Sequence, residues 1–311
     1  MLSIQKLIDD EKCYEEIRQM RWPERVSCPR CESTIVNKRG FHNRQAHRQR
    51  YDCQGCGRGF DDLTDTIFEN HHQPVKVWIL CLYFMGLNLS NRQIASELNL
   101  DGDDVHAMTA LLREGVAVKK EPVVLRDKAE FDEVYIVAGH KGQPEEVEKR
   151  NRTGRRRRLK GKRGRGTAES DKPPIFGMIQ RGGQCVLRML PNVQQTTIKP
   201  VIEASVAKGT LIYTDEYNIY ARSEKWGYQH KTVNHSIGEY ARDEDGDGFH
   251  EVHVNTMEGL WSLLRSWLRP HRGISQAKLP LYLGFFEFVH NTRRRGQALL
   301  PSLLGLLLSS P

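Results

Sequence analysis

Four of the seven cysteines occur as two Cys-x-x-Cys pairs, Cys28 with Cys31 and Cys53 with Cys56, and 21 residues separate the pairs. A two-residue gap lets both sulfurs of a tight turn point at one ion, and two such turns supply the four thiolates of a closed tetrahedral zinc site. Residues 35–52 carry short strand patterns around a turn. Because a four-cysteine site has no open position for a substrate, the sequence predicts a zinc ribbon whose Zn2+ is structural.

The alternative for these pairs is a redox disulfide, which would need the context of a cytosolic oxidoreductase. No thioredoxin-like unit follows the pairs, so the zinc site is favoured. Cys13, Cys81 and Cys185 are isolated and are expected to be buried thiols. Basic side chains around the ribbon would make it a small recognition module; they are Arg30, Lys38, Arg39, Arg44, Arg48 and Arg50.

The positive charge of the chain is concentrated in one segment. Residues 149–165 hold eleven basic residues and no acidic residue, and the rest of the chain has 36 basic against 39 acidic residues, a net charge of −3. Such blocks are often arms that bind nucleic acid by neutralising phosphates, although a solvated loop is the alternative. The residues expected to contact DNA here are Arg155, Arg156, Arg157, Arg158, Lys160, Lys162 and Arg163.

Hydropathy argues against a membrane protein. Hydrophobic residues make up 38% of the 311 residues, and the longest unbroken apolar run, residues 77–85, is far shorter than the roughly 20 residues of a membrane span. Charged residues at positions 9–12 interrupt the N-terminal apolar residues, so no secretion signal is expected. The expected location is cytoplasmic and nucleoid-associated.

A helix-turn-helix-like segment is predicted after the ribbon. Residues 75–85 form an apolar helical run, and Ser90 followed by Gln93 matches a capping box. A turn at residues 99–101 and a second helix over residues 103–114 complete the helix-turn-helix proportions. DNA reading and ordinary packing both remain open for this segment.

The remainder of the chain alternates strand and helix patterns. Strands are predicted over residues 130–137, 175–180, 185–190, 210–216 and 231–234, and helices over residues 197–207 and 256–268. This order implies an α/β domain with a mixed sheet covered by helices. The basic segment falls between the first and second strands, where a sheet tolerates it only as a surface hairpin or arm.

Three acidic residues are candidates for a metal site. Asp132 and Asp215 occupy strand positions among apolar neighbours, and a carboxylate there is costly unless it is paired or binds a cation. Glu258, at the start of a predicted helix, is the third candidate. The alternative is three unrelated acids, with Asn255 as a helix N-cap and Glu258 as its capping-box partner.

The helix that carries Glu258 has two different faces. At 100° per residue, Glu258, Arg265 and Arg269 fall within about 60° of one another, while the leucines, Leu263 among them, occupy the opposite side. Asn255 also lies within about 60° of Glu258, so geometry alone allows either side chain to reach a metal. Because Mg2+ favours anionic oxygen, we expect Glu258 to be the ligand.

The most specific features of the sequence are five short motifs. They are Asp132-Glu133, Tyr-Thr-Asp-Glu-Tyr at 213–217, Val-Asn-Thr-Met-Glu-Gly-Leu-Trp-Ser at 254–262, His-Arg-Gly-Ile-Ser at 271–275 and Asn-Thr-Arg-Arg-Arg at 291–295. In combination they resemble bacterial insertion-sequence transposases of the ISXO type, over residues 24–296. That group is similar in having a zinc ribbon followed by an RNase H-like DDE domain. The basic insert after Tyr135 departs from the compact glycine-rich continuation expected in the group.

The resemblance implies an acidic triad, Asp132, Asp215 and Glu258, that holds two Mg2+ or Mn2+ ions for cutting and joining DNA. Arg265 is expected to act on a phosphate beside the scissile bond, and Arg269 and Arg272 to contact DNA. The expected domains are a zinc-ribbon region at 1–70, a helix-turn-helix-like segment at 71–122, an RNase H-like domain at 123–300 with a basic insert at 140–173, and a C-terminal tail at 301–311.

The function expected from these features is that of an insertion-sequence transposase. It would bind terminal inverted repeats as a homo-oligomer on DNA, cleave the element ends and transfer the 3′ ends to target DNA. Two alternatives stay open. One is an RNase H-like nuclease that does not transpose, and the other is a DNA-binding regulator with a zinc ribbon, a helix-turn-helix and an inactive RNase H-like domain.

Overall fold

The computed structural model describes residues 9–140, 143–149, 171–215, 218–234, 237–244, 246–248 and 250–309. The chain divides into two compact units, one formed by Met1–Lys120 with Gln297–Pro311 and the other by Glu121–Gly296. Among the helices that these described residues form, none is long and apolar enough to cross a membrane. Each unit has its own hydrophobic core.

The first unit begins with a helix and a small antiparallel sheet. Helix α1 spans Asp10–Arg21, and strands β1, β2 and β3 span Val36–His42, Gln45–Cys53 and Gly59–Asp61, in that sheet order. The strand, turn and strand predicted within residues 35–52 are therefore confirmed. Helix α1 has no counterpart in the sequence-based prediction.

A buried carboxylate, that of Asp62, holds α1 to the ribbon. Its Oδ2 accepts hydrogen bonds from Arg18 Nη1 at 2.8 Å and from the Gln49 backbone N–H at 2.7 Å. Burial raises the pKa of Asp62, and these two partners oppose the rise. Trp22 adds an edge-on contact with Tyr51, with 5.8 Å between ring centroids. An ion pair and an aromatic contact thus fix the helix on the sheet.

The rest of the first unit is helical, with α2 over Val75–Gly86, α3 over Asn91–Leu98, α4 over Gly102–Lys119 and α9 over Leu299–Leu308. The predicted capping box is confirmed, because the side chains of Ser90 and Gln93 each accept from the other's backbone N–H. Asn99 makes the predicted turn in the left-handed region, at a φ of 51°. Helix α4 continues beyond the predicted residues 103–114. Helix α9, from the segment expected to be a tail, packs against α2 and α4.

The second unit is built on a five-stranded mixed sheet. The sheet strands are β4 (Lys128–Tyr135), β5 (Pro174–Gln180), β6 (Cys185–Met189), β7 (Leu211–Asp215) and β8 (Gln229–Val233). The helices are α5 (Pro144–Lys149), α6 (Gln195–Ser205), α7 (Asn255–Leu268) and α8 (Leu279–Arg294), and a small ribbon pairs β9 (Ala241–Arg242) with β10 (Val252–His253). The sheet order is β6-β5-β4-β7-β8, with β6, β5 and β4 antiparallel and β4, β7 and β8 parallel. The predicted RNase H-like mixed sheet is confirmed.

Helices cover both faces of this sheet because its inner strands are apolar on both sides. Phe131 and Phe176 pack in one core with α6, whereas Ile175 packs in another core with α7 and α8. Successive residues of a strand point to opposite faces, so Ile175 and Phe176 serve different cores. Burial of each such side chain contributes about 1.5–3 kcal/mol.

Helix α8 covers the free edge of β6, where backbone groups would otherwise lack strand partners. Asn291 accepts from the Cys185 N–H at 2.8 Å and donates to the Cys185 carbonyl at 2.9 Å. Glu287 accepts from the Leu187 N–H at 2.9 Å and from Arg188 Nη1 at 2.8 Å. Asn291, part of a motif behind the family resemblance, therefore has a structural contact.

Candidate active site and zinc centre

Asp132 and Asp215 lie on neighbouring parallel strands, β4 and β7. The register that pairs Glu130 with Tyr213, continued by two residues, places Asp132 level with Asp215 on the same face of the sheet. Glu258 comes from the first turn of α7, which packs on β4 and β5. The negative charges of Asp215 and Glu258 both act on Asp132. The structure therefore places two of the predicted acids, Asp215 and Glu258, close enough to the third, Asp132, for their charges to raise its pKa.

The side chain of Asp132 is held by Trp261 of α7, whose Nε1–H donates to Asp132 Oδ2 at 2.8 Å. Gly177 of β5 is the register partner of Asp132, and a Cβ added at Gly177 would lie 2.3 Å from Trp261 Cη2. Only a residue without a side chain lets the indole lie this close to the sheet. Sequence reasoning missed both Trp261 and Gly177, although a glycine inside an apolar strand indicates close approach of another group.

Asp132 is largely buried and lies near two other carboxylates. Burial raises its pKa from 3.8 to about 6, and the charges of Asp215 and Glu258 add to the rise while the hydrogen bond from Trp261 opposes it. A divalent cation would relieve this accumulation of charge, and carboxylate oxygens are the ligands that Mg2+ prefers. The donor set therefore fits a hard divalent cation.

The acidic residues are spaced differently from the ribbon cysteines. Among the described residues, the four cysteines are the one group of three or more His, Cys, Asp or Glu residues whose ligand atoms all lie within 4.8 Å of one another. The three acids are spread more widely.

For α7, the structure contradicts the alternative in which Asn255 caps the helix, and it contradicts the expected packing of Leu263. Asn255 lies inside the helix as its first residue, Val254 occupies the N-cap position, and Glu258 is not the capping-box partner of an Asn255 cap. Leu263 does not pack in the core, because it is 55% exposed. The buried stripe includes Trp261 in place of Leu263, so α7 is rotated relative to the expected packing. The buried residues of α7 are Met257, Leu260, Trp261, Leu264 and Leu268.

The four ribbon cysteines converge as predicted. Cys28 Sγ lies 3.8 Å from Cys56 Sγ, and Cys31 Sγ lies 3.5 Å from Cys53 Sγ. The backbone N–H of Cys56 is the largest influence that lowers the pKa of the Cys53 thiol, to about 6. The pKa of the Cys31 thiol moves the other way, to about 12, because the hydrogen bond with the Ser33 backbone, which lowers it, is outweighed by burial and by hydrogen bonds with the other three ribbon cysteines. Zinc binds the thiolate form of cysteine, so the convergence of the four sulfurs is what supports the site.

The arginines predicted to contact DNA line one cavity of the second unit. Arg265 of α7, and Arg269 and Arg272 just after the helix, surround a cavity of about 450 Å3 together with Tyr135 at the end of β4. The remaining lining residues are Ile136, Val137, Leu268, His271, Gly273, Ile274 and Leu279. The three arginines are exposed. Their planar guanidinium groups suit phosphate oxygens, and Arg265 lies about two helical turns beyond Glu258.

Comparison with known proteins identifies the family. A family model described as the ISXO2-like transposase domain matches residues 124–291, more than half of the chain, and a transposase zinc-ribbon domain matches residues 8–59. The chain belongs to the ISXO2-like transposase family.

Two relatives place this ISXO2-like transposase among mobile-element proteins. Over 308 residues it is 31% identical to the uncharacterized protein in transposable element ISH50 of Halobacterium salinarum, and the match covers 98% of this chain and 99% of that protein. It is also 26% identical over 103 residues to an uncharacterized transposase-like protein of Haemophilus influenzae, covering 33% of this chain and 77% of that protein. The resemblance to ISXO-type transposases is confirmed.

In this ISXO2-like transposase, the zinc-ribbon match and the convergent cysteines support a structural Zn2+. The family also implies DNA as a partner. The residues of the basic insert expected to contact DNA lie outside the described part of the chain; they are Arg155, Arg156, Arg157, Arg158, Lys160, Lys162 and Arg163.

The helix-turn-helix-like segment of the transposase has an acidic second helix. Asp103 and Asp104 lie in the first turn of α4, and Asp101 caps it. Acidic residues stabilise a helix N-terminus but repel DNA phosphates. This arrangement favours packing over DNA reading for α4.

Sequence reasoning also missed two contacts close to the acidic residues. Tyr220 is fully buried and donates a hydrogen bond to the carboxylate of Glu133, and burial raises the pKa of Tyr220 well above 10.0. Glu130 is fully buried and bonds to α7. Its alternation with Asp132 on one strand was visible in the sequence, since residues i and i+2 of a strand share a face.

Proposed function

We propose that this ISXO2-like transposase binds the terminal inverted repeats of its insertion sequence as a homo-oligomer, cleaves the element ends and transfers the 3′ ends to target DNA. The observation that carries the proposal is the arrangement of Asp132, Asp215 and Glu258 at one face of the sheet, with half-buried Asp132 at a pKa of about 6. Such concentrated negative charge is costly to a fold and is typical of functional sites.

In the proposed reaction, Asp132, Asp215 and Glu258 hold two Mg2+ or Mn2+ ions. When bound, such ions lower the pKa of the attacking water or hydroxyl and stabilise the leaving oxygen. The protein contributes anionic oxygens on rigid elements. Trp261 fixes one oxygen of Asp132 through its indole N–H, so the carboxylate has a defined orientation.

The arginine-lined cavity serves the DNA strand in this proposal. Arg265 contacts a phosphate next to the scissile bond, and Arg269 and Arg272, which line the same cavity, contact the same strand. The basic residues 149–165 add affinity that is independent of DNA sequence, because they neutralise phosphates wherever they lie.

The test is a Mg2+-dependent cleavage and joining assay with duplexes that carry the element ends. Asp132→Asn and Glu258→Gln should abolish strand cleavage while preserving DNA binding, because each variant removes one anionic ligand. Arg265→Ala should reduce cleavage by about 10–100-fold, with a smaller loss of binding. Asn255→Ala is the matched control from the same helical turn and should leave substantial activity.

The outcomes separate the proposal from its alternatives. Cleavage without joining would identify a nuclease that does not transpose. Repeat binding without any cleavage, unchanged by Asp132→Asn, would identify a DNA-binding regulator. An inactive Asn255→Ala together with an active Glu258→Gln would overturn the assignment of the third carboxylate alone.

A further inference from the structure

Glu130 is a buried carboxylate beside the acidic site that the proposed reaction does not use. It lies on β4 two residues before Asp132, so both side chains face α7. Its side chain has no solvent exposure. A carboxylate in such a place is costly unless charged or polar partners compensate it, so the partners of Glu130 reveal what it does.

Both oxygens of Glu130 are engaged at the start of α7. Oε1 accepts from Arg181 Nε at 2.7 Å and from Thr256 Oγ1 at 2.8 Å, and Oε2 accepts from the Met257 backbone N–H at 3.0 Å. The first four N–H groups of a helix have no partner within the helix, and that of Met257 is one of them, since the N–H of Glu258 is the first to donate within the helix, to the Val254 carbonyl. The N-cap residue, Val254, has an apolar side chain. Glu130 therefore caps α7 from the sheet.

Arg181 extends this contact to the segment that leads into α7. Its Nη1 donates to the Glu251 carbonyl at 2.6 Å and its Nη2 to the His253 carbonyl at 2.9 Å. The guanidinium also lies over the ring of Tyr213, 3.9 Å from its centroid. Glu130 and Arg181 thus fix both the first turn of the helix and the residues before it.

The helix has a second attachment one turn later, where Trp261 donates to Asp132. Met257 and Trp261 are four residues apart and lie on the same side of α7. Two attachments on one side fix both the position of the helix along its axis and its rotation about that axis. Glu258 follows Met257 directly, so its position depends on both.

We propose that Glu130 is a positioning residue that, through the Met257 N–H and Arg181, sets α7 so that Glu258 meets the metal ions held by Asp132 and Asp215. This inference rests on the proposed metal-dependent function. Because both oxygens of Glu130 already accept hydrogen bonds, Glu130 acts through Glu258 and is not itself a metal ligand.

The test compares Mn2+ binding by full-length Glu130→Gln and Glu287→Gln, without DNA, by electron paramagnetic resonance of free Mn2+. Glu287 is a matched control, because it is 2% exposed and accepts from a backbone N–H and an arginine on β6. We expect Glu130→Gln to weaken Mn2+ binding by about 10–100-fold, as loss of an outer-shell partner typically does. Glu287→Gln should bind as the wild type does. The Mn2+ concentration for half-maximal cleavage should rise in parallel for Glu130→Gln alone.

Wild-type Mn2+ affinity in folded Glu130→Gln, judged by hydrogen exchange of the β4 amides, would overturn the positioning role while leaving the proposed function intact. A wild type that binds no Mn2+ would overturn both. If Glu130→Gln does not fold, Thr256→Val tests the positioning role instead, because it removes only the hydroxyl contact with Glu130. It should weaken Mn2+ binding by about 2–5-fold, the effect of a hydrogen bond worth about 0.5–1 kcal/mol, and unchanged binding would overturn the proposal.

Discussion

The zinc ribbon and the acidic site are both clusters of metal-ligating side chains, but they are assembled over very different distances along the chain. All four ribbon sulfurs come from two tight turns, and each turn closes on itself with a backbone hydrogen bond from Glu32 to Cys28 or from Gly57 to Cys53. The acidic site depends on a strand register and on a helix contact, Trp261 to Asp132, across 129 residues.

This difference predicts how the two sites respond to change. A cluster made by local turns depends on its ligands and on the metal, because a small domain with a small core gains much of its folding free energy from the ion. A cluster made by packed elements depends on residues that are not ligands, because close-packed interiors transmit small displacements.

The largest effect is expected from loss of zinc. Cys53→Ser combined with Cys56→Ser should reduce bound zinc from one ion per chain to near zero, since structural zinc contributes an apparent 10–16 kcal/mol or so to small zinc domains. Metal analysis of the purified protein measures the zinc, and hydrogen exchange of the β2 and β4 amides reports the two units. Protection should be lost in β2 and retained in β4. Retained zinc, or equal loss of protection in both strands, would contradict the claim that the ribbon depends on its own ligands and metal while the second unit does not.

The next effect comes from a single methyl group under Trp261. Gly177→Ala places a Cβ where 2.3 Å separates it from the indole, so Trp261 must move away from Asp132. We expect a loss of about 1–3 kcal/mol in the stability of the second unit, typical of overpacking, and a fall in cleavage of about 100-fold. Urea unfolding followed by exchange of the β4 amides and the cleavage assay measure these losses.

Gly259→Ala is the matched control for this change, because it adds the same methyl group to open space on α7. It should be neutral or stabilise the helix by up to about 1 kcal/mol, since alanine favours helix more than glycine does. Equal effects of the two substitutions would show that the close approach of Trp261 to Gly177 is not what holds the site.

The same comparison explains what the sequence predicts well. The cysteine spacing predicts the ribbon because its geometry is contained in two short turns, and the order of strand and helix patterns predicts the mixed sheet. Asp132, Asp215 and Glu258 were found as residue types in unusual places and through the family resemblance. Their spacing could not be found, because it depends on how β4, β7 and α7 pack.

The residues that sequence reasoning missed share one property, which is that they act across elements. Glu130 caps a helix that begins 125 residues later, and the pattern within α7 shows only that its own N-cap, Val254, is apolar. The expectation that Leu263 packs failed for a related reason. A helical wheel gives the angle between faces, but the contact of Trp261 with Gly177 decides which face turns inward.

A smaller effect follows from the charge on Asp132. Its pKa is raised from 3.8 to about 6 in the folded protein, so the folded state loses stability relative to the unfolded state as pH rises through this range. Asp132→Asn keeps an oxygen for Trp261 and removes the charge. It should therefore stabilise the second unit without added divalent cation, by about 1–3 kcal/mol at pH 8 and by about 1 kcal/mol less at pH 5.

Exchange of the β4 amides in increasing urea measures this gain. Mg2+ should stabilise the wild type and not Asp132→Asn, because a ligand that binds only the folded state adds stability. A variant that is no more stable than the wild type at pH 8 would show that the acidic cluster carries no electrostatic cost. The acidic site would then differ less from the zinc ribbon in how its stability depends on bound metal.

The smallest effect tests whether the two local turns alone determine the geometry of the four-cysteine site in the ribbon. Glu32 and Gly57 each follow the second cysteine of a pair, and both have positive φ, 59° and 70°. Glycine adopts this conformation freely, whereas for other residues it costs about 1–2 kcal/mol. Glu32→Gly should therefore favour the folded ribbon by about 0.5–1 kcal/mol, after the entropy that glycine adds to the unfolded chain is subtracted. This gain corresponds to zinc affinity about 2–5-fold higher in a chelator competition assay.

Glu24→Gly is the control, because Glu24 is not among the described residues with positive φ, and it should give no gain. Equal zinc affinity in Glu32→Gly and the wild type would mean that contacts beyond the two turns hold the ribbon, as packed elements hold the acidic site.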